Sequence, residues 1–263
     1  MTAVWRVFWR SIRLAAHVLV GTLLTVLLAR RGQDGSRRHR RAVVRWWHAV
    51  LCRLLHVRVH VSGAPPAAPS LLVANHVSWL DVPVLGGLGE IAFLSKAEVK
   101  DWPVVGWLAA AAGTQFIARG AGDANNVRDR IGAHLSGAGS LTLFPEGTTT
   151  DGSEVRPFFP RLLAAAHATG VPVVPVALRY LRGAALDTVA PFIGDDEVAS
   201  HLWRVLQQEA FDVHVVFCRP IDPAHLDRRA LADLARSRIV GALDDLGGRA
   251  AGGEPSTPPT PAP

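Results

Sequence analysis

The chain has 263 residues, 49% of them apolar and only 19% charged, with two widely separated cysteines, Cys52 and Cys218. This is enough apolar material for one α/β domain with an added terminal element, and it excludes a largely disordered chain and a disulfide or zinc framework. The net charge of +6 is unevenly divided: residues 1–60 carry twelve arginines against one acid, Asp34, while the remainder is net acidic. Because those arginines alternate with long apolar runs and tryptophans, the expected partner is an anionic membrane surface and not nucleic acid.

In chain order, the first element is the uncharged run "LAAHVLVGTLLTVLLA", residues 14–29, bracketed by Arg13 and Arg30. As a helix it covers about 24 Å, short of the roughly 30 Å hydrocarbon core. Arg6, Arg10, Arg13, His17, Gly21 and Thr25 recur at three- and four-residue steps, which lines them up as one polar or small stripe. A second helical pattern, "RRAVVRWWHAVLCRLLH", sets Arg38, Arg41, Arg45 and His48 on one side and supplies Trp46 and Trp47, residues suited to the headgroup level. Residues 1–56 therefore read as a helical hairpin lying in one leaflet, with a spanning anchor as the alternative. A cleaved leader fits poorly, because Arg30 and Arg31 stand where a small-residue cleavage site belongs.

From residue 57 the pattern changes to short apolar runs separated by helical stretches. Strands are predicted near 57–61, 70–74, 91–95, 115–118, 140–144, 172–178 and 212–218, and helices over 82–89, 103–112, 123–138, 159–169, 197–208 and 226–245. The alternation predicts an α/β fold: a mixed, largely parallel sheet covered by helices, with ligand residues collected beyond the carboxyl ends of strands. Residues 57–245 form the expected catalytic domain. The Gly- and Pro-rich end, 246–263, reads as a disordered tail. No dinucleotide fingerprint, phosphate loop or nucleophile elbow is present in the sequence.

The polar clusters follow strands. "NHVSWLD", residues 75–81, contains Ser78 and Asp81 at capping-box spacing, which predicts Ser78 as the N-cap of the next helix. It also contains His76 five residues before Asp81. With a turn between them, the carboxylate accepts from one imidazole nitrogen and leaves the other to take a proton, the arrangement of a general base and its orienter. Downstream, "TQFIARG" delivers Arg119 after a strand, and "LTLFPEGTTTDG" delivers Glu146, Gly147 and Thr148. "GVPVVPVAL" carries two prolines, which suit an edge strand or a bulge.

Taken in order, "NHVSWLD", "FIARG", "FPEGTTTDG" and "VPVVPVAL" resemble the four sequence blocks of the glycerolipid acyltransferase family, across about residues 57–220. The resemblance implies His76 and Asp81 as the catalytic pair, and Arg119, Glu146, Gly147 and Thr148 at the acceptor, with Lys96 of "LSKAEVK" as a further cationic contact. It implies direct acyl transfer from acyl-CoA or an acylated carrier protein to a lysolipid hydroxyl, with no further cofactor and no metal. The first expected acceptor is 1-acylglycerol-3-phosphate, giving phosphatidic acid. Lyso-ornithine lipid O-acyl transfer is the alternative within the same chemistry, and a non-catalytic lipid-binding protein of the same fold is the alternative outside it. The basic hairpin also looks like the membrane anchor of bacterial members, which implies the cytoplasmic face of the inner membrane. Thr148 and Thr149 depart from the Ser or Arg of many relatives, which leaves the headgroup contacts open.

Overall fold

A computed structural model describes residues 3–30, 36–117, 124–137 and 139–252. Two helices lead the chain, α1 (Ala3–Arg30) and α2 (Ser36–Leu54), followed by β1 (Val57–Ser62), β2 (Leu71–Ala74), α3 (Asp81–Leu88) and β3 (Ile91–Lys96). Next come α4 (Val105–Ala111), β4 (Gln115–Ile117), α5 (Ala124–Gly137), β5 (Ser140–Leu143), α6 (Ala164–Thr169) and β6 (Val173–Arg182). The short β7 (Ala185–Leu186), which the sequence pattern did not mark, precedes α7 (Val198–Gln207), β8 (Phe211–Phe217) and α8 (Arg228–Gly252). Helix α8 runs into the stretch expected as a tail, because Arg249, Ala250 and Ala251 are strong helix formers that favour continuation over a break at Gly247 and Gly248. Residues 253–263 lie outside the described residues.

The strand order is β1-β8-β6-β2-β5-β3-β4, with β7 paired to β6. Every pairing is parallel except β6 with β8 and β6 with β7, so the sheet is mixed and largely parallel, as expected. Strand β2 is fully buried, and its side chains divide between two cores: Leu72 and Ala74 join Leu80, Leu85 and Tyr180 on one face, and Leu71 and Val73 join Ile131, Leu163 and Ile239 on the other. A four-residue strand buried on both faces is apolar at every position, which explains why "LLVA" shows no alternation.

The prolines of "GVPVVPVAL" do not mark an edge: β6 is central, between β2 and β8. Pro175 is tolerated because its carbonyl accepts from Cys218 N at 2.9 Å, so its ring nitrogen faces the same side, past the end of β8 at Phe217. The bond its ring nitrogen cannot donate, the reciprocal one of the Pro175–Cys218 pair, falls where β8 has already ended, so the ladder is shortened there and not broken in its middle.

The stripe along α1, apart from the exposed Arg13, faces the protein body. Arg10, His17 and Gly21 are buried, whereas Trp5, Phe8, Leu19, Leu23 and Leu27 are exposed. Arg6 and Arg10 donate to the carbonyls of Leu206, Gln207, Gln208 and Glu209, capping the C-terminus of α7 with two guanidinium groups. Farther along, His17 stacks on Trp47 with ring centroids 4.7 Å apart, and a Cβ at Gly21 would lie 2.5 Å from Trp47 Nε1. Trp47 therefore packs the two helices together, and only Trp46 of the pair is exposed. Helix α2 in turn presses His48 against α3, where a Cβ at Gly86 would lie 1.9 Å from His48 Nδ1.

Candidate active site

Strands β6, β2, β5, β3 and β4 are consecutive and parallel, so the residues that follow β2, β5 and β3 emerge along one edge of the sheet. As β2 ends, its backbone leaves the ladder with β6, and the Asn75 side chain replaces that pairing. Its Nδ2 donates to Leu178 O at 2.9 Å and its Oδ1 accepts from Leu178 N at 2.8 Å. This pairing is the structural reason for an asparagine at position 75. The chain is thereby released into a turn at residues 76–80 while β6 stays satisfied.

His76 and Asp81 meet across that turn. His76 Nδ1 lies 2.7 Å from Asp81 Oδ2, which also accepts from the amides of Val77 at 2.8 Å and Ser78 at 3.0 Å. Asp81 Oδ1 accepts from the Tyr180 hydroxyl at 2.8 Å. The carboxylate is fully buried and accepts four hydrogen bonds, the condition under which a buried charge is sustained. Burial, followed by the charge of Asp81, raises Tyr180 well above its ordinary value, so the phenol keeps its proton and donates. Since Asp81 accepts, Nδ1 carries the imidazole proton and Nε2 offers a lone pair. The ring is fixed from its face as well: Phe144 stacks on it with centroids 4.0 Å apart and planes 14° apart.

The expected N-cap at Ser78 is not formed. Leu80 occupies the N-cap position of α3 with helical dihedrals, and the fully buried Ser78 hydroxyl has no partner among the described residues. Half of the capping box remains, because Asp81 reaches back to the Ser78 amide. The amides of Val77 and Ser78 are thus committed to Asp81 and unavailable as donors to an oxyanion. Pro83 falls in the first turn of α3, where its missing N–H costs nothing.

Glu146 follows β5 and ties the site together through the backbone. Its Oε1 accepts from His76 N at 2.7 Å and its Oε2 from Arg156 N at 2.8 Å. Burial raises its proton affinity, and these two amides act in the opposite direction. Each oxygen is engaged by one backbone amide, so Glu146 ties the His76 backbone to the turn that follows β5. Gly147 adopts φ +70°, and a Cβ there would lie 2.8 Å from the Phe159 ring, so both the backbone and the space require glycine. Thr150 N donates to His76 O at 2.8 Å, and the Thr149 hydroxyl donates to Phe192 O. The half-buried side chain of Thr148 makes no such tie among the described residues.

Lys96 ends β3 and is exposed, two strands from β2, roughly 10 Å at ordinary strand spacing. Arg119 lies outside the described residues. Sequence reasoning missed Tyr180, Phe144 and the tie from Glu146 to His76. The available signal was that Tyr180 is the chain's single tyrosine, set in an otherwise apolar strand.

A buried carboxylate behind a partly exposed imidazole, at the edge of a parallel sheet, has the geometry that general-base chemistry requires. The family model described as Acyltransferase matches residues 56–179. A lyso-ornithine lipid O-acyltransferase of Pseudomonas aeruginosa is 46% identical over 242 residues, covering 90% of this chain and 93% of that protein. A 1-acyl-sn-glycerol-3-phosphate acyltransferase of Neisseria meningitidis is 32% identical, covering 82% and 86%. In fold, the chain resembles the crystal structure of the 1-acyl-sn-glycerophosphate (LPA) acyltransferase PlsC from Thermotoga maritima, with TM-score 0.72, 20% identity and coverage of 94% and 96%. The chain belongs to the acyltransferase family. Within that family it is an acyltransferase of lysolipids.

Proposed function

We propose that the chain is a lyso-ornithine lipid O-acyltransferase working at the surface of a membrane. The observation that carries the acceptor is the 46% identity to the Pseudomonas aeruginosa enzyme of that name, against 32% for the Neisseria meningitidis enzyme acting on 1-acylglycerol-3-phosphate. Of the two acceptors that the motifs leave open, the alternative is therefore the better supported.

In this reading His76 Nε2 removes the proton of the acceptor hydroxyl as its oxygen attacks the thioester carbonyl of acyl-CoA or an acylated carrier protein. The tetrahedral intermediate collapses with loss of the thiolate, which takes the proton back from the imidazolium. Asp81 stabilises that cation through the 2.7 Å contact, and Tyr180 and two amides hold the carboxylate in place. Glu146 and Phe144 position the imidazole from its backbone and its face. Arg119 and Lys96 are assigned to the acceptor headgroup. For ornithine this is an amino acid in place of a phosphate ester, so Arg119 carries less of the binding than it would for a phosphate.

The membrane reading rests on α1, whose Val4–Ala29 segment is long and apolar enough to cross a bilayer by length and composition. Its contacts to α7 through Arg6 and Arg10, and to α2 through His17 and Gly21, hold its length along the domain. This supports a helix lying in one leaflet over one standing across it.

The test is acyl transfer by the purified full chain with lyso-ornithine lipid and lysophosphatidic acid compared side by side. The expected result is a kcat/KM at least about tenfold higher for lyso-ornithine lipid, a difference of about 1.4 kcal/mol. A reversed preference overturns the acceptor, and retention of wild-type turnover by His76→Ala overturns the base.

A further inference from the structure

The connection from β3 to β4 presents an apolar surface that the chemistry of the site does not use. Between Trp102 and Thr114 there is no charged residue, and Trp102, Val104, Val105 and Trp107 are all 37–50% exposed. This is not a loose loop. Gly106 N donates to Trp102 O at 2.9 Å, and a Cβ at Gly106 would lie 2.1 Å from Lys100 O, so α4 is wound tightly onto the turn before it. Val104 sits at φ +63°, a conformation that a β-branched residue seldom adopts, at the point where the chain turns to present Val104 and Val105 outward. Four large apolar side chains held in water within six residues need an occupant.

We propose that this connection is a second lipid-contacting element, inserting Trp102, Val104, Val105 and Trp107 into the same bilayer surface that the outer face of α1 meets. The inference rests on the membrane reading given above. The lipid occupant follows from continuity: α4 packs against α1, whose outward residues Leu19, Leu23 and Leu27 are exposed, and Ala110–Ala112 share a cavity of about 420 Å³ with Arg40, Arg41 and Val44 of α2. The composition agrees, since two tryptophans beside valines suit the headgroup boundary, and the charges before them, Lys96 and Lys100 against Glu98 and Asp101, cancel, so the apolar side chains carry the contact. Because Lys96 ends β3 and β4 leads to Arg119, this docking holds the acceptor side of the sheet edge at the leaflet from which a lysolipid enters.

The test uses the full chain with an environment-sensitive fluorophore at Val105→Cys, at Leu23→Cys on α1, or at Ser237→Cys on exposed α8, mixed with vesicles of phosphatidylglycerol containing a doxyl-labelled quencher lipid. Quenching at positions 105 and 23 but not at 237 is the expected result. Quenching at 23 alone overturns the second element and leaves the membrane reading intact, whereas no quenching at either position removes the membrane reading itself. A blue shift at 105 that grows with protein concentration in the absence of vesicles assigns the patch to a second copy of the chain and also overturns the proposal. Independently, Trp102→Ala combined with Trp107→Ala, with folding checked by circular dichroism, should weaken vesicle binding about ten- to thirtyfold, as removal of two half-exposed aromatic side chains predicts. Unchanged vesicle binding by that variant refutes the insertion.

Discussion

Tyr180→Phe isolates the role of the hydrogen bond behind the His76–Asp81 pair. The substitution removes one hydroxyl and preserves the ring, so the core around Leu178 and Leu80 keeps its packing, and the change is confined to Asp81 Oδ1. That oxygen is fully buried and Tyr180 is its hydrogen-bond partner, while Oδ2 keeps its three bonds to His76, Val77 and Ser78. A hydrogen bond to a charged acceptor contributes about 1.5–3 kcal/mol, and its loss here strips the carboxylate of one of four stabilising donors. If about half of that is lost in the transition state because the carboxylate no longer holds the imidazole in one orientation, about 0.75–1.5 kcal/mol, kcat/KM falls roughly three- to twelvefold. The assay is steady-state acyl transfer with a thermal melt of each protein. A merely structural tyrosine would lower the melting temperature and leave kcat/KM of the folded protein in place. Wild-type kcat/KM in Tyr180→Phe would refute the assignment.

Asn75→Ala removes both hydrogen bonds to Leu178 and strands a buried N–H and C=O in the middle of the sheet. A loss of about 2–4 kcal/mol in unfolding free energy is expected by chemical denaturation. Glu146→Gln places an amide NH₂ against the N–H of either His76 or Arg156, so one acceptor contact becomes a donor–donor conflict. Because the tie to His76 is disturbed, kcat should drop while KM for the acyl donor stays near wild type; a change confined to KM would contradict the positioning role. In the fold, burial lowers His48 from 6.5 to about 4, so an unfolded chain takes up a proton at His48 that the folded chain refuses. The stability difference is fully present above pH 6.5 and is lost as pH falls from 6.5 to 4, about 3 kcal/mol in all. Denaturation midpoints measured through that window should fall, and His48→Leu should flatten the decline.

Local chemistry made much of this protein legible from its residues alone. The period-3.6 stripe from Arg6 to Gly21 specified a helix with one polar face, and apolar runs bounded by Gly, Pro and Ser marked seven of the eight described strands. The spacing of His76 and Asp81 implied a turn that brings them together, and they lie 2.7 Å apart. What periodicity does not encode is which strands are neighbours. Tyr180 acts on Asp81, and Asn75 on Leu178, only because β6 lies beside β2 in the sheet, with about a hundred residues of chain between the partners. The same holds for Glu146, whose carboxylate meets the His76 amide because β2 and β5 are adjacent and parallel. The stripe on α1 likewise had to wait for its partners: an arginine row reads as a surface until the carbonyls at the end of α7 accept from it. Sequence patterns set the shape and polarity of each element. Long-range packing, which depends on how all the apolar faces are buried at once, decided which polar atoms met.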